Sequence, residues 1–102
     1  MGKDEPRLTA QTFKVLGILL SRAQEEISGA EIARATTLAS GTLYPILLRL
    51  EKARWVESRW EAGDPHRLGR PRRRLYQVTG AGAKKAQFAF RDTFPVGELA
   101  WR

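Results

Sequence analysis

The hydrophobic pattern of this chain changes period at Trp55. Before it, apolar residues recur at three- and four-residue spacing, the signature of helices packed on one side. From Trp55 to Glu61, and again from Arg72 to Val78, they alternate as in short strands. With 102 residues the chain is one domain by size. It buries roughly 60–70% of its unfolded surface, enough for one core. Helices and strands must therefore share that core.

Punctuation residues divide the pattern. Thr9 is placed to cap a helix running to about Gln24, with Phe13, Leu16, Leu19 and Leu20 on its inner side. Val15 and Ile18 fall on a different side, which suggests a second partner such as another copy of the chain. Ser28-Gly29-Ala30-Glu31 has the spacing of a capping box and opens a helix over 29–36. Ser40 is the cap candidate for a helix over 41–53 with Leu43, Leu47 and Leu50 inward and Pro45 in or near its first turn. Trp55–Glu61 is a strand with Val56, Ser58 and Trp60 on one side, Trp60 being assigned to the core. Ala62-Gly63-Asp64-Pro65 is turn chemistry, and a loop continues to Pro71. Arg72–Val78 is the second strand. Thr79 caps a last helix over 80–92 carrying Ala83, Ala86, Phe88 and Phe90.

The order is helix, helix, helix, strand, loop, strand, helix. This is a mainly α chain with a small β-hairpin, in a winged helix-turn-helix arrangement. Residues 1–8 are expected as a loose arm, 9–92 as the domain, and 93–102 as a tail.

Charge narrows the function. Residues 1–64 carry nine basic and nine acidic side chains, whereas 65–102 carry nine and two, so the net charge of +7 sits in the second segment. Five arginines fall between Arg67 and Arg74. Such a cluster on a small domain is the footprint of a polyanion binder. Cysteine is absent, which excludes disulfides, thiolate zinc sites and cysteine nucleophiles. His66, the one histidine, has no partners at metal-ligand spacing, so neither a metal nor another cofactor is expected. No serine–histidine pairing, carboxylate cluster or glycine-rich phosphate loop supports an enzyme. The longest strongly apolar run, Val15–Leu20, is far too short to span a bilayer. No signal peptide is visible, and the expected compartment is the cytoplasm.

One stretch is more specific. Gly41-Thr42-Leu43-Tyr44-Pro45, followed by Leu47 and Arg49-Leu50-Glu51, resembles the GTLYP…L.RLE signature of the PadR-like transcriptional regulators. The resemblance extends through Val56-Glu57-Ser58, Trp60-Glu61, Gly69–Tyr76, Val78-Thr79 and Gly82. It also takes in Ser28–Ile32, and covers about residues 9–92. It implies a cytoplasmic, homodimeric, DNA-binding regulator, usually a repressor. Its third helix would enter the major groove, and the basic wing (62–74) would lie on the backbone or minor groove. Three departures stand out. Arg54 occupies a position where the family usually has glycine, Ala30 replaces a common aromatic, and the C-terminal region is short.

The candidate DNA-binding residues are Ser40, Gly41, Thr42, Tyr44, Pro45 and Arg49 on the third helix and Arg67, Arg70, Arg72 and Arg73 in the wing. Hydroxyls and N–H groups at a helix start suit phosphate oxygens, and the arginine fork bonds phosphate bidentately. Arg70, beside Pro71, is the candidate for the minor groove. Val15, Ile18, Phe88 and Phe90 are the candidate dimer contacts. A small hydrophobic effector is a further expectation, with Trp101 as a candidate lining residue. The alternative class is a winged-helix adaptor that binds protein rather than specific DNA.

Overall fold

Hydroxyl side chains start three of the helices in the computed structural model, which describes residues 5–94. Thr9 opens α1 (Ala10–Ser21), its Oγ1 accepting from the Thr12 amide at 3.2 Å. Ser28 opens α2 (Gly29–Thr36), its Oγ accepting from the Glu31 amide at 3.1 Å. Thr79 opens the last helix, Gly80–Thr93, its Oγ1 accepting from the Gly82 amide at 2.9 Å. Each satisfies a backbone donor that the first turn of a helix otherwise leaves unpaired. α1 ends at Ser21, earlier than the expected Gln24. There Arg22 leaves helical geometry and its guanidinium bonds Glu25 and Glu31.

The third helix, α3 (Ser40–Lys52), starts differently. Its N-cap is Ala39, which makes no side-chain cap bond. The Ala39 carbonyl accepts from the amides of Thr42 and Leu43 at 3.0 and 2.9 Å. Ser40 is thus the first helical residue rather than the expected cap, and its side chain is exposed. Pro45 lies inside the helix, just past the first turn and so near it, as expected. It cannot donate to the Gly41 carbonyl.

α3 ends in a Schellman motif. The Arg54 amide donates to the Glu51 carbonyl and the Trp55 amide to that of Leu50, each at 3.0 Å. Arg54 itself is left-handed, with φ +66°. That is the conformation the missing glycine would have supplied.

The sheet has three strands in the order β1 (Ile27–Ser28), β3 (Arg74–Val78), β2 (Val56–Trp60), all antiparallel. Val56 pairs with Val78, Trp60 with Arg74, and Ile27 with Tyr76. β1 was not expected, because two residues show no alternation and Ser28 also serves as a helix cap. Between β2 and β3 the expected loop contains a helical turn, α4 (Pro65–Leu68). Asp64 caps it, and Gly69 ends it at φ +73°. The last helix is α5 (Gly80–Thr93).

The core lies between α1, α2, α3 and the sheet. Val15, Leu16, Leu19, Ile27, Ile32, Leu43, Leu47 and Leu50 are buried in it, with Trp55, Val56 and Val78. Two assignments are corrected. Val15 is wholly buried among these residues, because the strands and α2 cover more of α1 than one inner stripe; it has no surface left for a second chain. Trp60 is 59% exposed, because β2 runs out beyond the core toward the wing. In the segment expected as an arm, Pro6 is buried and a Glu5 carboxylate oxygen lies 3.8 Å from Lys85. Residues 1–4 and most of the expected tail fall outside the described residues.

α5 passes over the turn between α3 and β2 at Gly82. A Cβ there would overlap the Trp55 carbonyl oxygen, while a Cβ at Gly80 would meet nothing within 4 Å. Gly82→Ala is expected to destabilise the fold by about 3 kcal/mol or more, and Gly80→Ala to leave it unchanged or slightly more stable. Arg54→Gly is expected to stabilise it by about 0.5–1 kcal/mol through release of the left-handed strain. Thermal denaturation of the three variants checks all three signs.

Candidate nucleic-acid interface

α3 turns Leu43, Ile46, Leu47 and Leu50 into the core. At 3.6 residues per turn, the row farthest from the core is Gly41, Pro45, Leu48 and Lys52, all exposed. Thr42 and Arg49 lie along one flank of this row, Tyr44 and Glu51 along the other. Ser40 stands exposed at the helix start. Of the candidates on this helix, only Thr42 is half-buried. Leu48, 53% exposed, was missed; its spacing of four from Tyr44 placed it on the same side.

Tyr44 leans across the start of α2. A Cβ at Gly29 would collide with its hydroxyl, so this glycine leaves the space the ring occupies. Together they border an open cleft of about 480 Å³ between α3 and the hairpin. Ala30, Trp60, Arg72 and Arg73 line the same cleft. Ala30, at the position where the resemblance implies an aromatic, is an exposed part of that lining.

A polar chain fixes the hairpin against α3. The Ser58 hydroxyl donates to Glu51 Oε2 at 2.6 Å and accepts from Arg74 Nε at 3.0 Å. Arg74 in turn stacks over the Trp60 ring, 5.1 Å from its centroid, a cation–π contact. Trp60 thus stays outside the core and holds an arginine in place. The position of Glu51, on the strand-facing flank of α3, could not be told from its spacing alone.

The wing has its own anchor. Glu61 accepts from both terminal nitrogens of Arg70, at 2.6 and 2.9 Å, and from the Arg73 amide at 3.2 Å. Its own amide donates to the Arg73 carbonyl at 2.8 Å. Arg70 is therefore paired with a carboxylate in this structure and is not free at the wing surface, unlike the position expected for it. Sequence alternation could not reveal this, because the contact joins the two ends of the loop. Arg67, Arg72 and Arg73 are exposed and make no ion pair among the described residues.

The remaining candidates lie away from this surface. Ile18 is half-buried against the core. Phe90 packs edge-on against Phe13, ring centroids 4.8 Å apart. Phe88 is 63% exposed on α5, beside Leu8, Lys84 and Lys85. Trp101, the candidate effector contact, lies outside the described residues. No helix among the described residues is long and apolar enough to cross a membrane.

The Arg70 hydrogen bond is the largest cause holding the Glu61 carboxyl down from 4.5 to about 2. A carboxyl with a depressed folded value stabilises its surroundings above its ordinary pKa and loses that effect as pH falls through the folded value. The anchor is thus complete above about 4.5 and fails toward about 2. An NMR titration of the Arg73 amide, which donates to this carboxylate, is expected to show a midpoint near 2. A midpoint near 4.5 would show that Arg70 is not engaged.

Comparison with known proteins places this geometry. The sequence profile of the transcriptional regulator PadR-like family matches residues 15–87. Among solved structures, Staphylococcus aureus MepR in its DNA-binding conformation is 23% identical with a TM-score of 0.71, over 92% of this chain and 64% of that one. A complex of S. aureus MepR with DNA is 20% identical with a TM-score of 0.67, over 91% and 73%. Apo MarR from E. coli is 26% identical with a TM-score of 0.66, over 82% of this chain but 56% of its own. No curated protein matches the chain. The structural likenesses show a winged-helix fold shared with longer regulators. The profile spans most of the chain, including the α3 signature and the hairpin, and the chain belongs to the PadR-like family of transcriptional regulators.

Proposed function

We propose that this chain is a sequence-specific DNA-binding regulator that acts as a repressor, binding a pseudo-palindromic operator as a homodimer. The observation that carries this reading is the cleft between α3 and the hairpin. Tyr44 and the amide-rich start of α2 border one side, and the exposed Arg72 and Arg73 border the other. A helix start presents N–H groups and a partial positive charge to an anion. A phosphodiester strand in that cleft would set α3 into the major groove on one side and the wing, with Arg67 near its tip, along the backbone on the other. S. aureus MepR, which shares this fold, has been solved in complex with DNA, which supports DNA as the partner. Among the described residues no comparable set of groups supports catalysis, and the family is one of regulators.

Two copies would place their α3 helices on half-sites about 34 Å apart. Their contact would use α5 and α1 through Phe88, Phe90 and Ile18, without Val15. Occupying an operator in this way would block transcription from it.

Fluorescence anisotropy with a duplex from upstream of the gene, against a scrambled duplex, tests the proposal. Specific binding by at least about 10³-fold is expected. Alanine at Arg72 or Arg73 should weaken binding to both duplexes and reduce the salt slope by about 0.9 for each phosphate no longer neutralised. Arg70→Ala should leave the salt slope unchanged while loosening the wing. Equal, salt-labile binding to both duplexes would overturn sequence specificity, and no binding at low salt would favour a protein-binding adaptor.

A further inference from the structure

The outward row of α3 carries exposed apolar residues that the core does not use. Gly41, Pro45 and Leu48 lie within its first nine residues. Gly41 has open space where a Cβ would be, so the helix backbone itself can approach a surface closely. Leu48 lies 53% exposed while the leucines and isoleucine of the opposite row are buried. A single exposed leucine is ordinary. On the same helix it is followed by the cationic Arg49 and Lys52, and the exposed Arg72 and Arg73 line the cleft on the Tyr44 side of α3. The charge complements a polyanion, while the centre of the row offers it no polar side chain.

Resting on the DNA-binding reading above, we infer that Leu48, with the Pro45 ring beside it, recognises the C5-methyl group of a thymine in each half-site. Of the groups that base pairs present in the major groove, the thymine methyl is the apolar one. Every other base edge there is a donor or acceptor that glycine, proline and leucine side chains cannot pair. The hydroxyls of Ser40 and Thr42 and the guanidinium of Arg49 sit at the start and flank of the row, placed for phosphates or neighbouring bases. The thymine contact is therefore a matter of apolar burial. One methyl group removed from water changes affinity by about three- to five-fold.

The test begins with selection of duplexes from a random-sequence library by the full chain. Each thymine of an enriched duplex is then replaced by deoxyuridine, which lacks only the methyl. At one thymine per half-site, replacement should weaken wild-type binding about three- to five-fold. The same replacement should leave Leu48→Ala binding unchanged. Leu48 is on the exposed side and alanine favours helix, so the variant should melt no lower than the wild type. Enrichment of a sequence with no thymine whose methyl effect disappears in Leu48→Ala would overturn this inference and leave the DNA reading intact. Failure of the wild-type chain to enrich any sequence would overturn both.

Discussion

The backbone of Trp55 is where three segments of the chain are joined. Its amide closes the Schellman motif that ends α3, donating to Leu50. Its carbonyl accepts from the Thr79 amide at 2.9 Å, which pins the end of β3 and the start of α5. Gly82 then lies against the same peptide, so closely that no side chain fits. Because the hairpin leaves α3 at this point and returns to it, the angle of the wing relative to α3 depends on these bonds. Arg54 is held left-handed in the same corner, at a cost of about 1 kcal/mol, and its carbonyl accepts from the Thr79 hydroxyl at 2.8 Å. The surrounding contacts offset that strain.

The wing divides its arginines between structure and surface. Arg70 is held by Glu61 and Arg74 by Ser58 and Trp60. Both are half-buried, and each fixes the hairpin on a different neighbour. Arg67, Arg72 and Arg73 are left exposed. A cluster of five like charges would repel itself and lie loosely in solvent. Carboxylates at Glu61 and, through Ser58, Glu51 give part of that charge a fixed geometry, so the exposed guanidiniums sit on an ordered hairpin.

Much of the fold was legible because its signals are local. The caps at Thr9, Ser28 and Thr79 need only a hydroxyl and the next turn of backbone. The change of period at Trp55 marks the hairpin, and a glycine position filled by Arg54 marks the end of α3. The site was legible in part. The exposed positions Ser40, Gly41, Tyr44, Pro45 and Arg49 follow from helical spacing. Ser40 was misassigned as the cap because Ala39, with no side-chain oxygen, gives no signal, although its carbonyl starts the helix. Leu48 was passed over because an apolar residue in a helical pattern reads as core.

The sequence by itself determined the order of elements, the family signature on α3 and the concentration of positive charge in the second segment. Each depends on residues close together in the chain. The tertiary structure alone decided which arginines stay exposed, why Trp60 lies outside the core, why Val15 lies inside it, and that β1 exists. Each of these depends on what a side chain or strand meets from a distant part of the chain. Glu61 reaches across the loop to Arg70, and Ile27 pairs with Tyr76 on a neighbouring strand that is distant in sequence. Periodicity reports which side of an element a residue occupies; packing decides what stands opposite it.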